Sequence, residues 1–489
     1  MRYGLSWVVV ALAGCAMSTH PPGRPSDDTC LVALDCGPEH GSEDESEDES
    51  DRSHEVTGRG RDTPAAEPEV WDASEPELDP EPEPDGPELS RTLLSHLPTA
   101  GPTGWWPHEL AVGPDGDLWL MGERPPWVWL DRLAPDGHSR WNDPWFGDRP
   151  THGPLESRAR LVLDREGRAT VAGSHVQYMA SGEPRFTVWL ARVSEAGSTR
   201  WMGSESSPEL AGLMPLSDGG VYLALRDPYD GSTESTVSIV RYLPDGTSDV
   251  STRLGTRNLE PPVIMVPAGP DLDETVYLAG GTRQIFGTGR VDAFMARFDL
   301  GEGTSTWPEP PPATGVRDYT SVLAAKADTE GGLVAVVATA LHRAPASRPT
   351  ESGMGPRDVR RMAADGALLW STPIRTQDGS DRNEGYADYR THMAVDAAGH
   401  IYVAYTISTD PLEVPPADGG SDARIVLEEL DPEGAFVWAE PFVIEHEHAA
   451  LLTGLALDGQ DRLYLITRPA DWDSDAGNWL IHLDPSAIE

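Results

Sequence analysis

The feature that most constrains this 489-residue chain is a short pattern that occurs seven times between residues 110 and 467. Each copy consists of an apolar run, a tight turn rich in Asp and Gly, and a second apolar run. The first copy reads LAVGPDGDLWLMG, from Leu110 to Gly122. This pattern is typical of a β-hairpin. The other six copies begin at Ala159, Leu210, Pro262, Ser321, His392 and Leu452.

A second and weaker hairpin pattern follows six of the seven copies, and it usually ends in Trp. Examples are WVWLDRLAPDGHSRW (127–141) and IVLEELDPEGAFVW (425–438). Two hairpins make a four-stranded unit, and the units recur roughly every 50 to 70 residues, the range of propeller blades. Four-stranded units of this size that close radially form a β-propeller.

The strand, Asp-Gly or Asp-x-x-Gly turn and Trp together resemble the β-propeller repeats of bacterial secreted proteins and lipoproteins, over about 91–489. The resemblance implies an all-β, seven-bladed β-propeller and no particular function. Two copies depart from the pattern: Val250 replaces the Trp of the third, and the fourth turn reads Asp-Leu-Gly at 299–301. We interpret the Trp residues as packing anchors between blades rather than stacking platforms for a quinone or a sugar.

The seventh unit ends after its third strand, so its fourth strand must come from elsewhere. The segment RTLLSHL (91–97) precedes the first unit and has no hairpin partner of its own. We expect 91–97 to complete the seventh blade beside 479–484, which would cover two sheet edges that promote aggregation when exposed.

The first fifteen residues resemble a bacterial lipoprotein signal peptide. Arg2 precedes the apolar run LSWVVVALA, which is too short to span a bilayer and leads into LAGC (12–15). The resemblance implies removal of 1–14 and acylation of Cys15, which would anchor the chain in the bacterial cell envelope. Ala16 favours the outer membrane, where an Asp would favour inner-membrane retention. An ordinary secretory signal that contains a Cys is the alternative.

Residues 15–90 are expected to form a disordered acidic tether. The segment contains EDESEDESD and then EPEVWDASEPELDPEPEPDGPE, with almost nothing apolar. Burial cannot offset chain entropy in such a sequence, and its like charges repel. We interpret it as a spacer, and the alternative is a low-affinity binding tract for divalent cations or a cationic partner. The net charge of the chain, −44, argues against nucleic acid as a partner.

Only Cys30 and Cys36 follow Cys15, and they flank the short sequence LVALD. In an exported protein this spacing permits a small local disulfide. A metal site is less favoured because no His or third Cys lies at ligand spacing.

Asp115 and Asp117 raise the question of a calcium loop. An EF-type loop needs oxygen ligands across about twelve residues and a terminal Glu. Here Leu118, Trp119 and Leu120 follow at once, and the sister turns share only Gly and Asx residues. The residues therefore predict a hairpin turn. We expect no cofactor, with calcium as the alternative.

Nearly all the long insertions lie in connections that a propeller places on the face opposite its hairpin turns, and long loops commonly carry function. The weak ligand-binding candidates in these connections are Tyr229, Arg283, Arg375, Asp381, Arg382, Tyr386, Tyr389, Arg390 and Trp472. His446 and His448 alternate beside Glu447 and form a weak metal candidate.

These features favour a rigid binding or scaffolding module that presents its long connections to an envelope protein or a glycan. The alternative is a propeller enzyme, either a calcium-dependent hydrolase or lyase or a quinoprotein. No Gly-x-Ser-x-Gly, His-Glu-x-x-His or phosphate-loop motif occurs in the sequence. Enzymatic activity is therefore left open, with a non-enzymatic role favoured, and we expect a monomer.

Overall fold

In the computed structural model, the described residues lie almost entirely in antiparallel β-sheet and the turns that join its strands. Its 28 described strands form seven four-stranded sheets, each with its strands in meander order. The described residues are 89–95, 97, 106–124, 127–147, 159–178, 184–206, 209–226, 237–254, 259–268, 274–283, 291–302, 304–305, 307, 318–341, 354–375, 391–407, 423–444, 450–469 and 477–488.

Each sheet is one blade, and the first three blades follow directly along the chain. Blade 1 contains β2 (Trp106–Val112), β3 (Leu118–Arg124), β4 (Trp127–Leu133) and β5 (Trp145–Gly147). Blade 2 contains β6 (Arg160–Leu163), β7 (Ala169–Tyr178), β8 (Pro184–Val193) and β9 (Thr199–Ser206). Blade 3 contains β10 (Glu209–Pro215), β11 (Val221–Arg226), β12 (Val237–Tyr242) and β13 (Ser248–Leu254).

The remaining four blades follow the same order, except that the last takes one strand from the start of the domain. Blade 4 contains β14 (Leu259–Pro267), β15 (Thr275–Arg283), β16 (Val291–Asp299) and β17 (Thr304–Ser305). Blade 5 contains β18 (Asp318–Ala327), β19 (Leu333–Leu341), β20 (Met354–Met362) and β21 (Leu368–Pro373). Blade 6 contains β22 (Thr391–Val395), β23 (Ile401–Ile407), β24 (Arg424–Leu430) and β25 (Phe442–Ile444). Blade 7 contains β26 (Ala450–Leu457), β27 (Leu463–Pro469), β28 (Trp479–Leu483) and β1 (Ser90–Leu93).

The blades close into a ring around a central channel. The first strand of each blade contacts the first strand of the next, and β26 of blade 7 contacts β2 of blade 1. The first strands therefore form the innermost layer, and the chain is the seven-bladed β-propeller that the repeats predict.

The ring is closed by strands from both ends of the described chain. β1 pairs antiparallel with β28, with Ser90 opposite His482 and Leu93 opposite Trp479. Leu94 and Leu97 follow β1 and are buried between blades 7 and 1. The sequence placed the closing segment at 91–97; the paired strand itself is shorter and begins one residue earlier.

One apolar cluster fills each of the seven interfaces between neighbouring blades. Alternate residues of one strand serve two interfaces. In β19, Leu333 and Ala335 face blade 4, and Val334 and Val336 face blade 6. Side chains alternate across a strand, and neighbouring blades cover both faces of each sheet. The sequences of the second strands are therefore continuous apolar runs.

Eleven hairpin turns share one backbone geometry. In each, the N–H of the first residue donates to the carbonyl of the fifth, and the N–H of the fourth donates to the carbonyl of the first. This is a type I turn followed by a left-handed residue. Ten of these turns place Gly at the fourth position with positive φ, and the eleventh places Asp461 there at φ 60°.

Three Trp residues of the outer hairpins bond to turns of the next blade, so these three are packing anchors between blades, the role that the sequence predicts. The indole N–H of Trp370 in blade 5 donates to the carbonyl of Pro432 in blade 6, at 3.0 Å. A Cβ added to Gly434 in that turn would lie 2.6 Å from the Trp370 ring, so only Gly permits this approach. Trp141 and Trp307 make the equivalent bonds to Glu195 and Ala364.

The only helix of the described residues is a 3₁₀ turn, Pro485–Ala487. Over that same part of the chain, no helix has the length and apolar character needed to cross a bilayer.

Candidate functional site

The channel contains the only lysine of the chain, Lys326. It lies near the end of β18, the innermost strand of blade 5, and its side chain is exposed. The matching position in the other six first strands, two residues before the turn, holds an apolar side chain. These residues are Ala111, Val162, Met214, Val266, Ala394 and Ala456. All of them except Ala456 belong to or border the clusters between blades.

A carboxylate and a second cation lie on the innermost strands of blades 1 and 2. Glu109 of β2 accepts a charged hydrogen bond from Nη1 of Arg160 in β6, at 2.9 Å. The second oxygen of Glu109 accepts from the backbone N–H of Leu161. Both carboxylate oxygens therefore have a donor, and Glu109 connects the inner edges of two blades.

Glu109 and Lys326 influence each other electrostatically across the channel. Burial lowers the pKa of Lys326, and the Glu109 charge opposes that shift. Burial likewise raises the pKa of Glu109 against the opposing effects of Arg160 and, more weakly, Lys326. The Lys326 side chain is accessible to solvent and is also surrounded by many protein atoms. We define Glu109, Arg160 and Lys326 as the channel triad.

The carboxylates of the first turn are held by arginines. The N–H of Asp117 donates to Oδ1 of Asp115, at 3.1 Å, which is the local bond expected of an Asx turn. Arg132 bonds to both carboxylates, with Nε 2.9 Å from Asp117. Arg140 adds a contact of 2.8 Å to Asp117. The five residues Gly113–Asp117 form the predicted hairpin turn.

The same arrangement recurs around the hairpin-turn face. Five of the seven third strands carry Arg two residues before their turn: Arg132, Arg192, Arg241, Arg297 and Arg361. Arg192 bonds to Asp164 at 2.8 Å and also to the carbonyl of Gly219 in the next blade. Arg361 bonds to Asp328 at 2.9 Å and to the carbonyl of Pro432, again one blade on.

Blade 6 reverses the charges of this arrangement. Glu429 occupies the Arg position, and its Oε1 lies 2.6 Å from Nδ1 of His400. Burial raises the pKa of Glu429, and the His400 contact opposes that shift. Across the described segments of the chain, no group of three or more His, Cys, Asp or Glu side chains is placed to hold a metal ion.

Arg375 is the one predicted ligand-binding residue whose side chain the structure describes. Its guanidinium stacks over Phe436, 3.9 Å from the ring centroid, and donates to the carbonyls of Trp438 and Ala439. Its backbone N–H donates to Glu428, at 3.0 Å. Arg375 thus joins blade 5 to blade 6.

Glu428 is completely buried at the same interface. Burial raises its pKa to about 7, and the neighbouring Arg375 opposes the shift. The Tyr405 hydroxyl donates to the carbonyl of Arg375, at 2.7 Å, and Arg357 lies over the Tyr405 ring. Burial raises the pKa of Tyr405 well above its usual range.

The other predicted site residues are not brought together by the described structure. Arg283 ends β15, where its backbone lies opposite Val291. The rest lie outside the described residues: Cys15, Cys30, Cys36, Tyr229, Asp381, Arg382, Tyr386, Tyr389, Arg390, His446, His448 and Trp472.

Sequence reasoning missed the channel triad. The signal that could have found it is a charged residue within a first-strand segment that is otherwise apolar, as in SVLAAKA or ELAV. Only closure of the ring arranges these three strands around one channel.

Comparisons with known proteins assign no function to the chain. No protein-family model matches the sequence. No curated protein matches it either. Among solved structures, a catalytically inactive virginiamycin B lyase from Staphylococcus aureus with quinupristin is 12% identical, with a TM-score of 0.40, covering 81% of this chain and 99% of that one.

Two further structures are similar to the same degree. A protein of unknown function from Dyadobacter fermentans is 11% identical, with a TM-score of 0.44, over 81% of this chain and 99% of that one. An α-L-arabinanase from Penicillium chrysogenum with arabinobiose is 11% identical, with a TM-score of 0.43, over 82% of this chain and 100% of that one. These values carry no functional inference.

Proposed function

We propose that the protein is an envelope-anchored binding module whose propeller presents its blade connections to a protein or glycan partner. The observation that carries the proposal is the difference between the two ends of the propeller. At one end, eleven turns share a single five-residue geometry. At the other end, the strands are joined by long segments such as 227–236, 342–353, 376–390 and 408–423.

The uniform end is suited to hold the other end rigid. Arg192, Arg297 and Arg361 each donate to a turn carbonyl of the following blade. Trp141, Trp307 and Trp370 do the same from the outer strands. Loops on a rigid scaffold bind at a lower entropic cost than loops on a mobile one.

Replacement of the blade connections tests the binding role. In one variant, 376–390 becomes a Gly-Ser linker of equal length; in a control, the exposed turn residues Asp365 and Glu433 become Lys. Each protein is presented to a glycan array and cross-linked to envelope fractions. We expect the linker variant to lose the partner at an unchanged unfolding temperature, while the control keeps it. The proposal would be refuted if the linker variant kept the partner and the variant with Lys at positions 365 and 433 lost it.

The anchor is tested separately. We expect metabolic labelling with a radioactive fatty acid to mark the wild-type chain, and Cys15→Ala to abolish the label and release the protein from membranes. A Cys15→Ala variant that is still cut and secreted would instead identify an ordinary signal peptide.

A further inference from the structure

We propose that a cavity on the hairpin-turn face, between blades 2 and 3, binds a small organic anion whose carboxylate or phosphate group is held by Arg168 and Arg200. The cavity has a volume of about 570 Å³. Three arginines line it, Arg168, Arg192 and Arg200, and Glu195 is the one acid among its described lining residues. The site lies at the end opposite the blade connections, so the proposal does not rest on the binding role above.

Two of the arginines are fixed in the cavity wall by one buried carboxylate. Nε of Arg168 and Nη2 of Arg192 lie 2.7 and 2.8 Å from the same oxygen of Asp164, Oδ2. Arg192 also donates to the carbonyl of Gly219 in blade 3, and a Cβ added to Gly219 would overlap Nη2 of Arg168. The two guanidinium groups are therefore held side by side across the junction of the two blades.

The third arginine is brought to the cavity by a β-bulge. Arg192 lies opposite Trp201 and Val193 lies opposite Thr199, so Arg200 is the extra residue of β9 and has no partner in β8. A bulge changes the direction of the side chain that it carries. The Arg200 side chain is exposed and lines the same cavity as the fixed pair.

The equivalent positions in blade 1 show what the cavity lacks. There the fifth residue of the first turn is Asp117, and it accepts bonds from Arg132 and from Arg140. In blade 2 the fifth residue of that turn is Arg168, so the charge is reversed. Arg200 is the counterpart of Arg140, and within the described part of the chain it has no hydrogen-bond or ion-pair partner.

The nearby carboxylates do not replace the missing one. Glu166 pairs with Arg168 at the tip of the first turn. Glu195 lies 3.8 Å from Arg132 and is thus directed towards blade 1. Arg200 therefore keeps an uncompensated charge and a planar set of donors that matches an oxygen anion. A bound carboxylate or phosphate would take the place that an Asp side chain holds in blade 1.

The rest of the cavity indicates the body of the ligand. Ala196 and Pro244 add apolar surface beside the arginines. A volume of about 570 Å³ is in the range of sites for small organic molecules and is far larger than an inorganic anion needs. The ligand should therefore combine one anionic group with a compact apolar body.

Three probes of similar shape test this chemistry. Benzoate, phenyl phosphate and the neutral benzyl alcohol are titrated separately into the full chain and followed by calorimetry. Ionic strength is held constant with chloride, so general screening does not change. We expect saturable binding of at least one of the two anions and none of benzyl alcohol, and the tighter anion identifies the preferred group.

Variants then locate the site. Arg200→Met should lower the affinity for the bound anion by about fivefold or more, at an unchanged unfolding temperature, because the side chain is exposed. Arg168→Asp restores the arrangement of blade 1 and should abolish binding, since its carboxylate would occupy the arginines. The matched control is Arg140→Met, which removes the equivalent arginine of blade 1 and should leave the affinity unchanged.

Four results would overturn the proposal. One is the failure of both anions to bind, and another is benzyl alcohol binding as tightly as benzoate. The third is an Arg200→Met variant with the affinity of the wild type. The fourth is an equal loss of affinity in Arg140→Met, which would indicate a general effect of charge on the turn face.

Discussion

Single residues decide whether the turns of this propeller are strained. Asp461 occupies, at φ 60°, the left-handed position that Gly holds in ten equivalent turns. Left-handed backbone costs a residue with a side chain about 1–2 kcal/mol, and the greater freedom of Gly in the unfolded chain offsets part of that gain. We expect Asp461→Gly to raise the free energy of unfolding by about 0.5–1 kcal/mol in urea denaturation.

The matched control is the reverse change in an unstrained turn. Gly116 has φ +83°, and nothing lies within 4 Å of an added Cβ. Gly116→Ala should therefore destabilise through the backbone alone, by about 0.5–1 kcal/mol after the same unfolded-state offset. A change of the same sign in the free energy of unfolding of both variants would contradict this account of the strain.

The first turn also bears on calcium. Because Arg132 and Arg140 already occupy the carboxylates of Asp115 and Asp117, the turn has no set of vacant oxygen ligands for the ion. We expect the unfolding temperature of the chain to be the same in calcium and in excess EDTA. If calcium raised the unfolding temperature of the wild type but not that of Asp117→Asn, the turn would be a calcium site.

Glu428 gives the stability a predictable pH dependence. Its pKa rises from 4.5 to about 7 on folding, so between these values the folded state holds a proton that the unfolded state has released. Its contribution is fully present below pH 4.5 and is lost as the pH rises towards 7.

Glu428→Gln remains neutral throughout. The stability of this variant relative to the wild type should therefore grow by up to about 3 kcal/mol across that window and then stay constant. Denaturation at several pH values measures the difference, and the exposed Glu433→Gln is the control. A flat difference curve would show that Arg375 keeps Glu428 ionised.

At the scale of strands and blades, arginines at the ends of the third strands stabilise the contacts between neighbouring blades. The Asp164 carboxylate is almost fully buried against Arg192, which is itself buried and also bonds to blade 3. Arg192→Met leaves Asp164 with Arg168 alone, so we expect a loss of about 2–3 kcal/mol in chemical denaturation.

The comparison is Arg241→Met in the next blade. Its partner Asp218 is more than a third exposed, and the same chemical change should cost less than about 1 kcal/mol. Similar losses at both positions would mean that burial does not set the strength of these pairs.

The elements were largely predictable because their signals are local. Alternating apolar runs, Asp-Gly turns and a terminal Trp define hairpins within about fifteen residues, and seven copies fix the number of blades. The contacts between blades were harder to predict from the sequence, because they join residues far apart in the chain. Trp370 meets Gly434 and Arg361 meets Pro432 across more than sixty residues of sequence. The residues of the channel triad lie on the innermost strands of blades 1, 2 and 5, which only closure of the ring arranges around one channel, and no local pattern encodes that.

At the scale of the whole domain, stability depends on closure. Leu94 follows β1 and is 1% exposed in the cluster between blades 7 and 1, while its neighbour Leu93 is 43% exposed. We expect Leu94→Ala to cost about 2–4 kcal/mol and Leu93→Ala less than about 0.5 kcal/mol. Both are measured by thermal and chemical unfolding. A loss confined to one probe, such as Trp fluorescence near blade 1, would instead show that the ring opens locally before it unfolds.

The pairing of β1 with β28 also determines how the domain responds to mechanical load. Any pull transmitted along the chain from residues before Ser90 reaches the folded domain first at β1, which is held by four residue pairs and by Leu94. The remaining blades are loaded only after this strand has detached. We therefore expect the closing strand to detach first under tension. Its release would expose two sheet edges, on β1 and β28, and leave six blades intact.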